Sequence, residues 1–159
     1  MISHVIYVKI NRVIILEVTM HGKILGTDLP SVLALAYIGD ARHSLYVRRM
    51  LVGRGISKSG DLNAESLLYV TAEAQARMYE KIKADLLEDE ADVFRRAYNS
   101  GHLNKPKKQS ASDYRTATGF EAVIGMLEWI GDTERLEMLL DKAHNAENEE
   151  WRNKNDSED

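Results

Sequence analysis

The chain contains no cysteine. That excludes a disulfide framework, a thiolate zinc site and a Cys nucleophile, so the fold has to be held by its own core. A long unbroken apolar run is missing too. The most apolar stretch, residues 5–18, is interrupted by Lys9, Asn11 and Arg12, whereas a membrane span needs roughly 20 mostly apolar residues. The same interruption, with no small-residue cleavage site after it, argues against a secretory signal. A cytoplasmic protein with no membrane partner is the expectation. Nor is there an excess of positive charge, because 21 Lys and Arg against 25 Asp and Glu give a formal net charge of −4. Coating of a polyanion by bulk attraction is thereby excluded, and any grip on phosphate must come from a local basic patch.

What is present suits one helical domain. A chain of 159 residues with 44% hydrophobic content can bury one core. Residues 5–19 stand apart, being rich in β-branched and aromatic types that favour extended structure, while everything after Pro30 follows a helical period. One explanation is an added hairpin; the one adopted is an annotated start upstream of the real one, with Met20 as initiator. An intact mass of the natively expressed protein that includes residues 1–19 would end that idea. The expected organisation is an N-terminal extension over 1–26, one helical domain over 27–145 and a charged tail over 146–159.

Helix boundaries are written in the sequence. Thr27 or Asp28 can cap a first helix with Pro30 in its first turn, where a missing N–H does no harm, and Gly53 and Gly55 close it. A second helix is expected over 61–83, with Leu62, Leu67, Val70, Ala74, Met78 and Ile82 as its apolar stripe. A third, over 86–98, begins with acids and ends with Arg95 and Arg96, the order that complements the helix dipole. The polar stretch 99–112 is long for a connection inside a domain. A fourth helix covers 113–130, and a last one begins at Asp132 or Thr133.

Two acids sit awkwardly on these helices. In the first, Leu33, Tyr37, Asp40, Ser44, Val47 and Leu51 recur at spacings of three or four, which places Asp40 on an apolar stripe. In the fourth, Glu121 lies beside the stripe Ala117, Phe120, Ile124 and Leu127. A hard divalent cation would satisfy both carboxylates, as would pairing with Arg42, Arg115 or solvent at a helix edge. Gly39 adjoins Asp40, and Gly119 and Gly125 bracket Glu121. Each interior glycine costs about 1 kcal/mol relative to Ala, a cost that close approach of two helices explains, and such an approach would also bring the acids together. His43 and His102 are read as ordinary histidines rather than general bases. Ser44 has no acylation-type base beside it.

The segments LALAYIGDA (33–41), LYVR (45–48) and YRTATGFEAVIG (114–125) resemble the Mini-III ribonucleases, a compact branch of the ribonuclease III family. The likeness runs from about Leu29 to Leu140 and includes LNAESLLYVTAEAQA at 62–76. It implies an all-α, ribonuclease III-like endonuclease domain, here with a short extended N-terminal segment. It further implies a homodimer, magnesium-dependent hydrolysis of double-stranded or structured RNA with manganese as a substitute, and maturation of the large-subunit ribosomal RNA precursor. By this resemblance Asp40 and Glu121 are the catalytic residues and the metal ligands. The larger enzymes carry two more acids, where this chain has Ala36 and Thr118. Mini-III members share those losses, and the site is poor in charge.

RNA contacts are expected from the basic run Arg95, Arg96, Lys105, Lys107, Lys108 and Arg115, which faces a single acid, Asp113. A solvated loop with no ligand would also account for it. Duplex RNA is read mostly by shape, through phosphates and 2′-hydroxyls, which calls for placed cations. Only 29 residues follow Ile130, so help from a partner, such as a ribosomal protein, is expected. The alternative is a catalytically weak or inactive RNA-binding module on the same fold, motivated by Ala36 and Thr118.

Overall fold

A computed structural model describes the backbone of residues 17–18, 24–25, 29–100 and 110–155, and the side chains of 29–100 and 110–145. Among the described residues are six α-helices: α1 (Val32–Gly53), α2 (Ser59–Val70), α3 (Ala72–Ile82), α4 (Glu88–Tyr98), α5 (Ala111–Ile130) and α6 (Thr133–Asn155). Strands β1 (Glu17–Val18) and β2 (Ile24–Leu25) pair antiparallel, with Glu17 opposite Leu25. This is the all-α class with a short extended N-terminal piece. Met20 and the capping candidates Thr27 and Asp28 lie outside the described residues.

The start of α1 differs from the expectation. Ser31 is the N-cap, accepting the Ala34 N–H at 3.2 Å, so Pro30 precedes the cap instead of occupying the first turn. The helix ends as a Schellman motif: Ile56 N–H reaches Leu51 O at 3.3 Å, Gly55 N–H reaches Val52 O at 3.0 Å, and Gly55 takes φ +85°. Gly55 is therefore the stop signal, and Gly53 is only the last helical residue.

The single helix expected over 61–83 is two helices. Thr71 has ψ 151°, outside the helical range, and its hydroxyl accepts the Ala74 N–H at 3.3 Å, restarting the chain as α3. The break re-aims the stripe. Ala74, Gln75, Met78 and Ile82 are buried, whereas Leu67 and Leu68 of α2 are exposed. In α4, the Glu90 carboxylate accepts the Leu87 N–H at 2.8 Å, so the first turn is closed by one of its own acids.

Helix α5 is the axis of the fold, with α1, α3, α4 and α6 packed around it. From Ala117 to Leu127 every residue of α5 is buried except Glu121. The four-residue stripe expected there is correct but too narrow, because neighbours close on several sides. Two different contacts set the spacing. A Cβ on Gly39 would overlap the Glu121 carbonyl, and one on Gly125 would overlap the Leu35 carbonyl, so α1 and α5 touch backbone to backbone. Gly119 instead makes room for the Phe94 ring of α4, which stacks on Tyr79 of α3 at 3.9 Å between centroids.

Candidate active site

The buried face of α1 runs through Leu35, Ala36, Gly39, His43, Val47 and Leu51. Asp40 is one position off that face and exposed, which corrects its placement on the apolar stripe; Leu33 and Tyr37 are exposed as well. The physical reason is the glycine contact. Gly39 turns inward to meet α5, and that rotation carries Asp40 to the edge of the seam. There it lines a cleft of about 430 Å³ together with Glu121. The other lining residues used below are Ala36, Tyr37, Gln75, Tyr114 and Thr118. Close approach of α1 and α5 thus does bring the two acids to one site, as their glycines suggested.

Glu121 is the partly buried member of the pair. Burial pushes its carboxyl up to about 7; a hydrogen bond from Gln75 pulls the other way, and the charge of Asp40 adds to the rise. Among the described residues no Lys or Arg pairs with either acid. Of the alternatives, the arginine pairings are not taken, since Arg42 bonds Glu128 at 3.0 Å and also Glu137 and no ion pair joins Arg115 to either acid among the described residues, whereas exposed Asp40 does meet solvent at a helix edge. Ala36 and Thr118 both face this cleft, and the Thr118 hydroxyl donates to Tyr114 O at 2.9 Å. The positions where the larger enzymes carry further acids are therefore at the site, occupied by a methyl group and a hydroxyl tied to its own helix. Among the described residues no group of three or more His, Asp or Glu side chains is arranged around a common ion position.

A ribonuclease III domain profile matches residues 33–132. The chain is 40% identical over 111 residues to Mini-ribonuclease 3 of Symbiobacterium thermophilum, covering 70% of this chain and 85% of that protein. The chain belongs to the Mini-ribonuclease 3 branch of the ribonuclease III family. Its likeness to Mini-ribonuclease 3 of Streptococcus pneumoniae is of the same order, 38% over 118 residues, covering 73% and 92%. A crystal structure of a protein from Fusobacterium nucleatum shares the fold at a TM-score of 0.68 and 29% identity, covering 74% of this chain and 93% of that one. As a Mini-ribonuclease 3 family member the chain is an endoribonuclease with an RNA substrate. Among the described residues no helix is long and apolar enough to cross a membrane.

The basic run divides. Arg95 and Arg96 are exposed at the end of α4, and both pair with Asp92, Arg96 at 3.8 Å. Arg115 follows Tyr114, a cleft residue. Lys105, Lys107 and Lys108, with His102, lie outside the described residues. Sequence reasoning passed over Gln75 and gave His43 no role. Both are buried, and Gln75 donates to His43 Nδ1 at 3.4 Å. A usable signal existed for Gln75: it shares the spacing of Met78 and Ile82, an amide on an apolar stripe.

Proposed function

We propose that this endoribonuclease cleaves double-stranded RNA using a Mg²⁺ ion, replaceable by Mn²⁺, held by Asp40 and Glu121, in maturation of the large-subunit ribosomal RNA precursor. The observation that carries the reading is the convergence of two carboxylates from α1 and α5 on one cleft with no cation of the described chain to neutralise them. A hard divalent ion with oxygen ligands fits that donor set. When bound, such an ion polarises the phosphate and activates water for attack. The residues themselves supply the rest. Asp40 and Glu121 fix the ion, and Gln75 holds one face of Glu121. Ala36 and Thr118 add no charge, so Asp40 and Glu121 would be the cleft's only carboxylates toward the ion among the described residues.

Arg95, Arg96, Arg115 and the lysines at 105, 107 and 108 are the phosphate-binding set of this proposal. Because Arg95 and Arg96 share Asp92, a partner such as a ribosomal protein that adds positive charge suits the economy of the surface. A homodimer is supported by the exposed apolar side chains Tyr37, at 82%, and Leu33, Leu67 and Leu68 on the paired helices α1 and α2. The cytoplasm is the compartment of this proposal.

The test is cleavage of a duplex RNA in Mg²⁺ by the wild type and by Asp40→Asn and Glu121→Gln. Cleavage by the wild type alone is the expected result. A wild type as inert as both variants, while still binding RNA, would replace this reading with that of a binding module.

A further inference from the structure

Behind Glu121 a line of polar side chains crosses the core. Gln75 on α3 is 1% exposed, and His43 on α1 and His144 on α6 are fully buried. Gln75 lines the same cleft as Glu121 and lowers the affinity of its carboxyl for a proton through a side-chain hydrogen bond. Its amide nitrogen is 3.4 Å from His43 Nδ1, and His43 Nε2 is 3.1 Å from His144 Nε2. Four helices thus contribute one residue each to a chain ending in the cleft. Buried polar groups are costly unless bonded, and this row occupies space where apolar side chains would pack without that cost.

The bonding pattern has one self-consistent assignment with an ionised Glu121. A carboxylate only accepts, so the Gln75 amide NH2 must face it. The second hydrogen of that NH2 goes to His43 Nδ1, which must then be bare. The His43 proton accordingly sits on Nε2 and is donated to His144 Nε2, leaving the His144 proton on Nδ1. Both rings are neutral in this arrangement, in agreement with burial, which pushes His43 down to about 3 and His144 to about 4. His144 Nδ1 has no hydrogen-bond partner among the described residues, so the row is satisfied at every link up to its last atom. Turning the Gln75 amide over would set its oxygen against the Glu121 carboxylate and against bare His43 Nδ1 together. With protons on His43 Nδ1 and His144 Nε2 the rings would accept a turned amide, so the ionised Glu121 carboxylate fixes the direction of the amide and the ring pair anchors it from behind.

We propose that Gln75 is the positioning residue of Glu121, and that the buried His43–His144 pair anchors Gln75, so that α1, α3 and α6 together aim the α5 carboxylate toward Asp40. The proposal rests on the assignment of Asp40 and Glu121 as metal ligands. Groups that orient a ligand from behind are worth about 10- to 100-fold in metal affinity or activity.

Mn²⁺ binding to the RNA-free protein, followed by calorimetry, tests it, together with the Mg²⁺ concentration for half-maximal cleavage and duplex-RNA affinity in Ca²⁺. Gln75→Leu should weaken Mn²⁺ binding by about 10-fold or more and raise the Mg²⁺ requirement in parallel, with RNA affinity unchanged. A packing defect alone would not single out the metal. His144→Leu, which removes the acceptor for His43, should act in the same direction by a smaller factor, and His144→Gln, which keeps an acceptor, should restore binding. The histidine variants carry the test if Gln75→Leu fails to fold. Wild-type Mn²⁺ binding in the folded variants, with binding abolished in Glu121→Gln, overturns the positioning role and leaves the metal site standing. Unchanged Mn²⁺ binding in Glu121→Gln overturns the metal site and the positioning role with it.

Discussion

Glu90 and Glu121 are both withdrawn from the surface, one fully and one in part, and they are treated in opposite ways. Glu90, 2% exposed, is gripped by Arg135 through two hydrogen bonds of 2.8 and 2.7 Å and also closes the first turn of α4. Arg135 in turn bonds Asp85 O at 2.6 Å. Glu121 has an amide where Glu90 has a guanidinium, and its carboxyl is pushed up to about 7 by burial, with Asp40 adding to the rise. A buried carboxylate whose charge is cancelled inside the chain belongs to the architecture. One left with its charge uncancelled beside a second carboxylate, on an open cleft, is arranged to receive something positive.

The largest expected effect breaks the comparison on the functional side. Asp40→Asn and Glu121→Gln should each reduce duplex cleavage by about 10³-fold or more, because the proposed ion, worth several kcal/mol of transition-state stabilisation, would have only these two carboxylates of the described chain. Thermal denaturation should show both variants folded. On the architectural side, Glu90→Gln or Arg135→Met should cost about 3–5 kcal/mol by leaving a buried partner uncompensated. Denaturant titration measures that loss, and cleavage per folded molecule should stay near wild type.

A pH series in EDTA sharpens the contrast. The folded protein holds the Glu121 proton more tightly than the unfolded chain, so this stabilisation is complete below 4.5 and is lost as pH rises through about 7. The shift corresponds to about 3 kcal/mol before discounting for partial exposure to water. His43 and His144 act with the opposite sign. Their stabilisation is present above 6.5 and is lost as pH falls through their folded values of about 3 and about 4. Between 4.5 and 6.5 the two histidines outweigh Glu121, so Glu121→Gln should steepen the rise of the midpoint temperature with pH across that window and leave the limb below 4.5 unchanged. An unchanged slope would show that the folded chain does not hold the Glu121 proton more tightly than the unfolded one.

The smallest effects separate the glycines. Gly125→Ala should cost about 1–3 kcal/mol by driving a methyl group into the Leu35 carbonyl, and should lower cleavage by parting α1 from α5. At Gly53 a Cβ would meet nothing within 4 Å, so Gly53→Ala should stabilise by up to about 1 kcal/mol and leave cleavage unchanged.

Much of this was legible without coordinates. The acids at the start of α4, the stop after Ile130, and Gly39 and Gly125 near Asp40 and Glu121 are local signals, each decided by a few neighbouring residues. The two motifs named the family and both acids of the candidate site. Reading went astray where a tertiary neighbour outweighed a local pattern. Asp40 shares the period of Leu33 and Tyr37, yet all three face outward, because the glycine seam at Gly39 sets the rotation of α1. Thr71 looked like one more helical residue until its hydroxyl capped Ala74.

The sequence by itself determined which residues can carry charge, where most helices begin and end, and which two acids are candidates for a shared ion. Only the tertiary structure decided that Glu121 would be the half-buried one and that an amide would stand behind it. Gln75, His43 and His144 are separated by 32 and 101 residues along the chain and come within hydrogen-bonding distance only when α1, α3 and α6 close around α5. No spacing rule reaches across such separations. Their contact is set by helix packing, which depends on the whole core at once.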